Sequence, residues 1–362
     1  MKLFTVGPVE AFPETMAVYQ NGFPYFRTEE YGSMVRNCMQ LLADLLGTEY
    51  NNNIIYLTAS GTAAMEASIE NCLSQTDKVL VINGGSFGYR FCQLLAWHNI
   101  PFDSINLKWN EQLTKNHLMP YEKRGYTSLI VNLHETSTGQ LYDINMLADF
   151  CKKNQMYFIV DAISTFLADN YEMDKYGIDV TIFSSQKGLS LSPGLSFVAF
   201  SKRMKEKVLS NNVLGSSYFN FKDYFSNITR GQTPYTPAVY IMYELREMLK
   251  LISSTGKENW LKRIEDRCFY FREKIIQLGF QIPDTYKLSN MLTPVIFTDI
   301  SAYDVFIDLQ NKYRIFVNPC GGDLKDKLLR VSHVGNLFMQ DIDFLIEKMK
   351  EISNKLREKK ND

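Results

Sequence analysis

The chain predicts an α/β fold, a large, mostly parallel sheet flanked by helices plus a smaller C-terminal α/β domain, on three observations. From about residue 33 to 183, helix-like segments alternate with short apolar runs rich in β-branched residues, the order expected of strands joined by crossover helices. The runs are short and mostly free of polar alternation, as strands covered on both faces should be. Beyond residue 237 two long amphipathic stretches give way to a more polar segment that marks a second unit.

In chain order, the apolar runs predict strands at Ile54–Leu57, Val79–Asn83, Phe102–Asn106, Ser128–Leu133, Tyr157–Val160, Val180–Ser184 and Ser196–Phe200. Helical spacing places helices between them at Ser33–Leu46, Ala63–Cys72, Tyr89–His98 and Ile144–Asn154. Pro237–Ser253 and Lys257–Leu278 read as long amphipathic helices, followed by strands at Leu292–Thr298 and Arg314–Val317. Met339–Lys359 repeats apolar positions at helical spacing and closes the chain with a solvated tail. The expected organisation is an N-terminal arm over 1–17, a large domain over 18–255 and a small domain over 256–362.

Composition narrows the function. A chain of 362 residues that is 45% hydrophobic can bury at least one large core. Its 39 Lys and Arg balance 40 Asp and Glu, for a formal charge of -1, so no sequence-wide attraction to nucleic acid or an anionic membrane is implied. The expected ligand is small. No stretch has the roughly 20 apolar residues a membrane helix needs, and no apolar leader precedes Gly7-Pro8, so the expected location is the cytoplasm. The six cysteines lack C-x-x-C spacing and read as reduced thiols, with no disulfide or zinc framework.

The string FSSQKGLSLSPG (Phe183–Gly194) carries the first chemical signal. Most lysines are solvated surface charges, but Lys187 follows a buried strand into a turn of small residues, at the sheet edge where open α/β folds bind ligands. Upstream, YFIVDA puts Asp161 at the end of an apolar strand, where an unpaired carboxylate pays several kcal/mol of desolvation and calls for a cationic partner. A protonated pyridine nitrogen is such a partner; capping of the following turn is the other role open to this aspartate. LTASGTAAMEA runs from a strand through Ser60, Gly61 and Thr62 into a helix start, a cradle for phosphate as well as an ordinary capped helix. In GGSFGYR, Phe87 follows a strand between glycines and either stacks on a ligand ring or seals the sheet end.

Together these strings resemble the class V aminotransferases, the fold-type I pyridoxal-phosphate (PLP) enzymes that include the alanine–glyoxylate, serine–pyruvate and 2-aminoethylphosphonate–pyruvate transaminases. The resemblance spans nearly the whole chain, through GPV (Gly7–Val9), SGT (Ser60–Thr62), GSFGYR (Gly85–Arg90), HETSTG (His134–Gly139), VDAIS (Val160–Ser164), SSQK (Ser184–Lys187), TPYTPAV (Thr233–Val239) and LRVSHVG (Leu329–Gly335). It implies that Lys187 carries PLP as a Schiff base, that Asp161 pairs with the pyridine nitrogen, that Phe87 stacks on one ring face and that Ile163 packs on the other. Thr136 and Gln186 would bond the ring oxygen or its neighbourhood, and Ser60, Gly61 and Thr62 the phosphate. Thr236 would reach the phosphate of a neighbouring subunit, which implies a homodimer with shared sites. Arg330 would pair the substrate carboxylate through its planar fork. The chain departs from the family in having Gln232 and Thr233 where an aromatic or histidine is frequent, and Phe87 where others have tryptophan.

The implied reaction moves an amino group from a small donor of the alanine, serine or 2-aminoethylphosphonate type to a 2-oxo acid such as pyruvate or glyoxylate. A cysteine desulfurase or another PLP lyase of the same fold is the second reading, with Cys320 in NPCGGD as the loop cysteine nearest Arg330. A nucleotide-binding α/β protein lacks its signature, since neither G-x-G-x-x-G nor G-x-x-x-x-G-K-[ST] follows an early strand. The donor stays open.

Overall fold

A computed structural model describes residues 1–20, 22, 24–211 and 215–361. Its central sheet has seven strands: β1 (Ile54–Leu57), β2 (Val79–Asn83), β3 (Phe102–Asn106), β4 (Ser128–Asn132), β5 (Tyr157–Asp161), β6 (Val180–Ser184) and β7 (Ser196–Phe200). They lie in the order β1-β7-β6-β5-β4-β2-β3. Every residue of β4, β6 and β7 is buried, which is why these stretches carry no polar alternation. Only the edge strand β3 exposes polar positions, Asp103 and Asn106.

One strand departs from the parallel expectation. β7 runs antiparallel to both β1 and β6, while the other pairings in the sheet are parallel. The cause is chain length. Residues 185–195 are too few to carry the chain back through a crossover helix, so it reverses at the end of β6. That reversal carries Lys187.

The described helices of eight residues or more are α1 (Glu29–Leu46), α2 (Gly61–Cys72), α3 (Ser86–Trp97), α4 (Ile144–Lys153), α5 (Lys202–Ser210), α6 (Phe221–Ile228), α7 (Val239–Thr255), α8 (Lys257–Gln277), α9 (Ala302–Tyr313) and α10 (Met339–Asn361). Helix α1 begins four residues before its apolar stripe suggests, because Thr28 caps it by accepting from Tyr31 N and Glu29 and Glu30 favour the positive N-terminus. Pattern reading missed α5, α6 and α9. Helix α5 buries only Met204 and Val208 among charged neighbours, too sparse a stripe to stand out. Arg314 is not the first residue of a strand as expected but the left-handed cap that ends α9.

Two hydrophobic cores result. The larger lies on both faces of the central sheet and includes α1, α2 and α7. The smaller joins Phe271 and Ile275 of α8, α9, α10 and a three-stranded antiparallel sheet of β8 (Leu292–Ile296), β9 (Asn318–Pro319) and β10 (Leu328–Ser332). The N-terminal segment ties the two together. Lys2–Leu3 pairs in parallel with Ile315–Phe316 and Phe4 enters the smaller core, while Val6 and Val9 enter the larger one. Residues 5–8 therefore cross between the cores.

Candidate active site

The carboxyl ends of β5 and β6 present the two groups that define the site. Asp161 ends β5 in register with Ile182 of β6, and its carboxylate is 5% exposed. Its Oδ1 accepts the Ile163 N–H at 2.8 Å, and no ion pair engages it among the described residues. Burial pushes its pKa up to about 7, the Ile163 N–H opposes the shift, and the Glu135 carboxylate adds to it. Lys187 stands in the reversal after β6. Burial pulls its amine down to about 8, Arg330 pulls it further, and Asp161 works against both.

The N-terminal segment covers this amine. A methyl group on Gly7 would lie 2.7 to 2.9 Å from Lys187 Cδ, Cε and Nζ, so at φ +149 the chain passes against the lysine where only glycine fits. The GPV string, which had no assigned task in the sequence, thus forms one wall around Lys187.

The other implied contacts gather on the neighbouring loops. Ser60 caps α2 by accepting from Ala63 N at 3.3 Å, and Thr62 Oγ1 accepts from Arg90 Nη1 at 3.1 Å. A Cβ on Gly61 would come within 2.6 Å of Ile163 Cδ1, so the helix start and the second residue after Asp161 are in contact. Phe87 is half-buried in the first turn of α3, with the Arg90 guanidinium 5.5 Å from its ring centre. Thr136 is buried beyond β4, and Gln186, half-buried, directly precedes Lys187. Thr236 is exposed. Its loop is anchored through Ala238 N to Thr58 Oγ1 (2.9 Å) and through Gln232 and the Thr233 carbonyl to Arg27 Nη1 (3.1 Å each).

Arg330 reaches the site from β10. Its Nη1 donates to the Thr136 carbonyl at 3.1 Å and its Nη2 to the Pro319 carbonyl at 2.7 Å, while Nε is buried without a partner. A cavity of about 460 Å³ opens beside it, lined by Phe87, Trp109, Ser137, Cys320, Leu324 and Arg330 among others. That volume suits a small molecule. The Cys320 thiol lies 3.8 Å from the Ser137 carbonyl, and burial raises its pKa against the lowering pull of Arg330. A thiol shifted in that direction is a poor nucleophile, which counts against the desulfurase reading.

Two further residues of HETSTG escaped the sequence reading. Glu135 is fully buried and bonds the first turn of α3, as described below. His134 is 2% exposed with both ring nitrogens unpartnered, and burial holds its pKa down at about 3, so the ring is neutral. No local cap marks the start of α3 and no spacing rule links residue 135 to residue 87, so the only available signal was the motif itself.

The residues fit PLP on their own terms. A buried carboxylate without a cationic partner matches a protonated pyridine nitrogen, and an amine with a lowered pKa beyond the end of the neighbouring strand suits condensation with an aldehyde. Fold and site together define a fold-type I transferase. Residues 23–324 match the aminotransferase class-V family, and the chain belongs to that family of PLP-dependent transaminases. It is 28% identical to an uncharacterized aminotransferase of Methanocaldococcus jannaschii over 92% of this chain and 87% of that one. It is 26% identical to the serine–glyoxylate aminotransferase of Arabidopsis thaliana over 92% and 86%. The crystal structure of an alanine–glyoxylate aminotransferase from Nostoc sp. superposes with a TM-score of 0.90 at 25% identity, covering 97% of this chain and 94% of that one.

Proposed function

We propose that this transaminase binds PLP at Lys187 and passes an amino group from a small α-amino acid of the alanine or serine type to glyoxylate or pyruvate. The observation that carries the reading is the pairing of Lys187 and Asp161 at adjacent strand ends, each with its charged form disfavoured by burial. Bound PLP supplies an electron sink for the electron pair left at the substrate Cα. Lys187 Nζ would take the proton from that Cα and deliver it to the cofactor's aldehyde-derived carbon, and would carry a proton the opposite way when the 2-oxo acid takes up the amino group. Asp161 holds the proton on the pyridine nitrogen, Phe87 and Ile163 shield the two ring faces from water, and Thr136 and Gln186 orient the ring oxygen. Ser60, Gly61 and Thr62 hold the phosphate at the start of α2, with Arg90 beside them as a counter-charge. Arg330 pairs the substrate carboxylate.

The cavity supports a monocarboxylate donor. Among its described lining residues Arg330 is the one charged side chain, and the remainder are uncharged, so a second acidic group on the donor would go unpaired. The names of similar proteins, serine–glyoxylate and alanine–glyoxylate aminotransferase, support the same donors and acceptor. The organisation that goes with this reading is an arm over 1–17, a large domain over 18–255 and a small domain over 256–362, paired as a homodimer in which Thr236 serves the partner's phosphate. Six free cysteines support a reducing, cytoplasmic setting, and no described helix is long and apolar enough to cross a membrane.

The experiment is a half-reaction screen. The PLP-loaded protein is mixed with single amino donors, and conversion to pyridoxamine phosphate is followed by absorbance. Alanine or serine should convert it fastest. Conversion by 2-aminoethylphosphonate or aspartate ahead of both would overturn the donor assignment, and borohydride reduction that leaves the cofactor's mass on a peptide lacking Lys187 would overturn the site.

A further inference from the structure

Glu135 stands three residues beyond the end of β4, in the short strand His134–Glu135 that leads directly into the turn carrying Thr136, and is fully buried. Five donors converge on its carboxylate. Oε2 accepts from Phe87 N (3.2 Å), Gly88 N (3.1 Å) and Asn132 Nδ2 (2.8 Å), and Oε1 accepts from Ser137 N (3.1 Å) and Ser137 Oγ (2.5 Å). The first turn of α3 has no side-chain cap of its own; this carboxylate, from the segment after the neighbouring strand β4, supplies the acceptor for Phe87 N and Gly88 N, and Ser137 Oγ the acceptor for Ser86 N. The backbone makes room for it. A Cβ on Gly85 would lie 2.6 to 2.7 Å from Glu135 Cδ and Cγ and 2.3 Å from Ser137 Oγ.

The consequence is that one buried group joins two loops with separate tasks at the cofactor. On one side it grips the N–H of Phe87 itself. On the other it fixes the turn bearing Thr136, whose carbonyl in turn receives Arg330 Nη1 at 3.1 Å. We infer that Glu135 is a positioning residue that sets Phe87 and Thr136 in mutual register to receive the PLP ring. The inference rests on the cofactor assignment above. A purely structural carboxylate would stabilise the fold without caring which side chain stands at 87. A positioning carboxylate loses its value when the ring it positions is removed.

The difference is measurable in a double-mutant cycle on PLP affinity, with Glu135→Gln and Phe87→Leu. Glutamine keeps the shape but replaces one acceptor oxygen with an NH2 group, which must face either the α3 N–H groups or Ser137, so one half of the junction breaks. Glu135→Gln alone should weaken PLP binding at least about tenfold and diminish the visible circular dichroism of the bound cofactor. In the Phe87→Leu background the same substitution should weaken binding by no more than about threefold. Equal losses in both backgrounds would overturn the positioning role, leaving a structural one. Ser137→Ala, which deletes one donor to the same carboxylate and the hydroxyl that accepts from Ser86 N at 3.1 Å, so that it loosens the same junction, enters the same cycle if Glu135→Gln does not fold, with the same non-additivity expected and additivity again fatal. A wild-type chain that fails to bind PLP would overturn the cofactor assignment and this inference with it, an outcome distinct from additivity.

Discussion

Asp161 keeps its carboxylate among apolar strands with a single backbone N–H as hydrogen-bond donor, and that has a thermodynamic signature in the cofactor-free protein. Its pKa is about 7 when folded against a usual 3.8, so the folded chain holds the proton more tightly than the unfolded one. Between about pH 4 and 7 unfolding therefore releases a proton, and stability falls as the pH rises through that window. Asp161→Asn removes the titration but keeps an oxygen for Ile163 N–H. Relative to its value at pH 4, the stability advantage of the apo variant over apo wild type should grow to roughly 4 kcal/mol by pH 8, read from denaturant midpoints across that range; a pH-independent difference would contradict the raised pKa. In the loaded enzyme the same substitution should reduce kcat, because the ring nitrogen loses its charge partner, and an effect confined to KM would assign Asp161 to uniform binding. At Lys187 the expectation is simpler. Lys187→Ala should abolish turnover, since the group that moves the Cα proton is gone, and turnover at the wild-type rate would remove Lys187 from the chemistry.

At the scale of elements, the site is assembled from loops that follow strand ends, and the least expected contributor is the N-terminal segment. Its path between the two cores is dictated by Phe4 on one side and Val6 and Val9 on the other, which leaves Gly7 against the lysine. Gly7→Ala places a methyl group where Lys187 Cδ, Cε and Nζ already stand, at a φ that an L side chain rarely adopts. Displacing a reacting amine by a fraction of an ångström should cost about tenfold or more in kcat, measured at saturating donor. If kcat is unchanged, the segment yields and Gly7 is a packing residue only. Helix α3 makes the same point in another way: its first turn is held by a carboxylate 47 to 48 residues away in sequence, so the element's boundary is a tertiary property.

For the whole molecule the decisive question is whether a site is complete within one chain. Thr236 is exposed, on a loop fastened at both ends by Arg27 and Thr58, so it is presented outward on a fixed support. In a dimer with shared sites, mixing Lys187→Ala chains with Thr236→Ala chains gives heterodimers with one doubly defective site and one intact site. After subunit exchange at equal concentrations, activity should return to about a quarter of wild type, from the statistics of pairing in a two-fold dimer. If exchange is verified by mass and no activity returns, each site is built from one chain and Thr236 belongs to the turn that Pro234 and Pro237 define.

The residues of the central strands by themselves determined where most of the sheet would be. Five of the seven strands begin and end where expected; for four of them the reason is that a strand covered on both faces is mostly apolar and ends near the first polar residues, whereas the edge strand β3 exposes Asp103 and Asn106. The sequence also singled out Asp161, because a carboxylate at the end of such a run needs a partner, and Lys187, because it stands at the sheet edge where open α/β folds bind ligands. What it could not contain is information held between distant segments. The antiparallel insertion of β7, the passage of Gly7 over Lys187 and the grip of Glu135 on the first turn of α3 each depend on which loops meet at one sheet edge. Local patterns encode the period of burial along a segment. The direction of a strand within a sheet and the partner of a buried carboxylate are decided only when chain length, two separate cores and close packing bring those segments together.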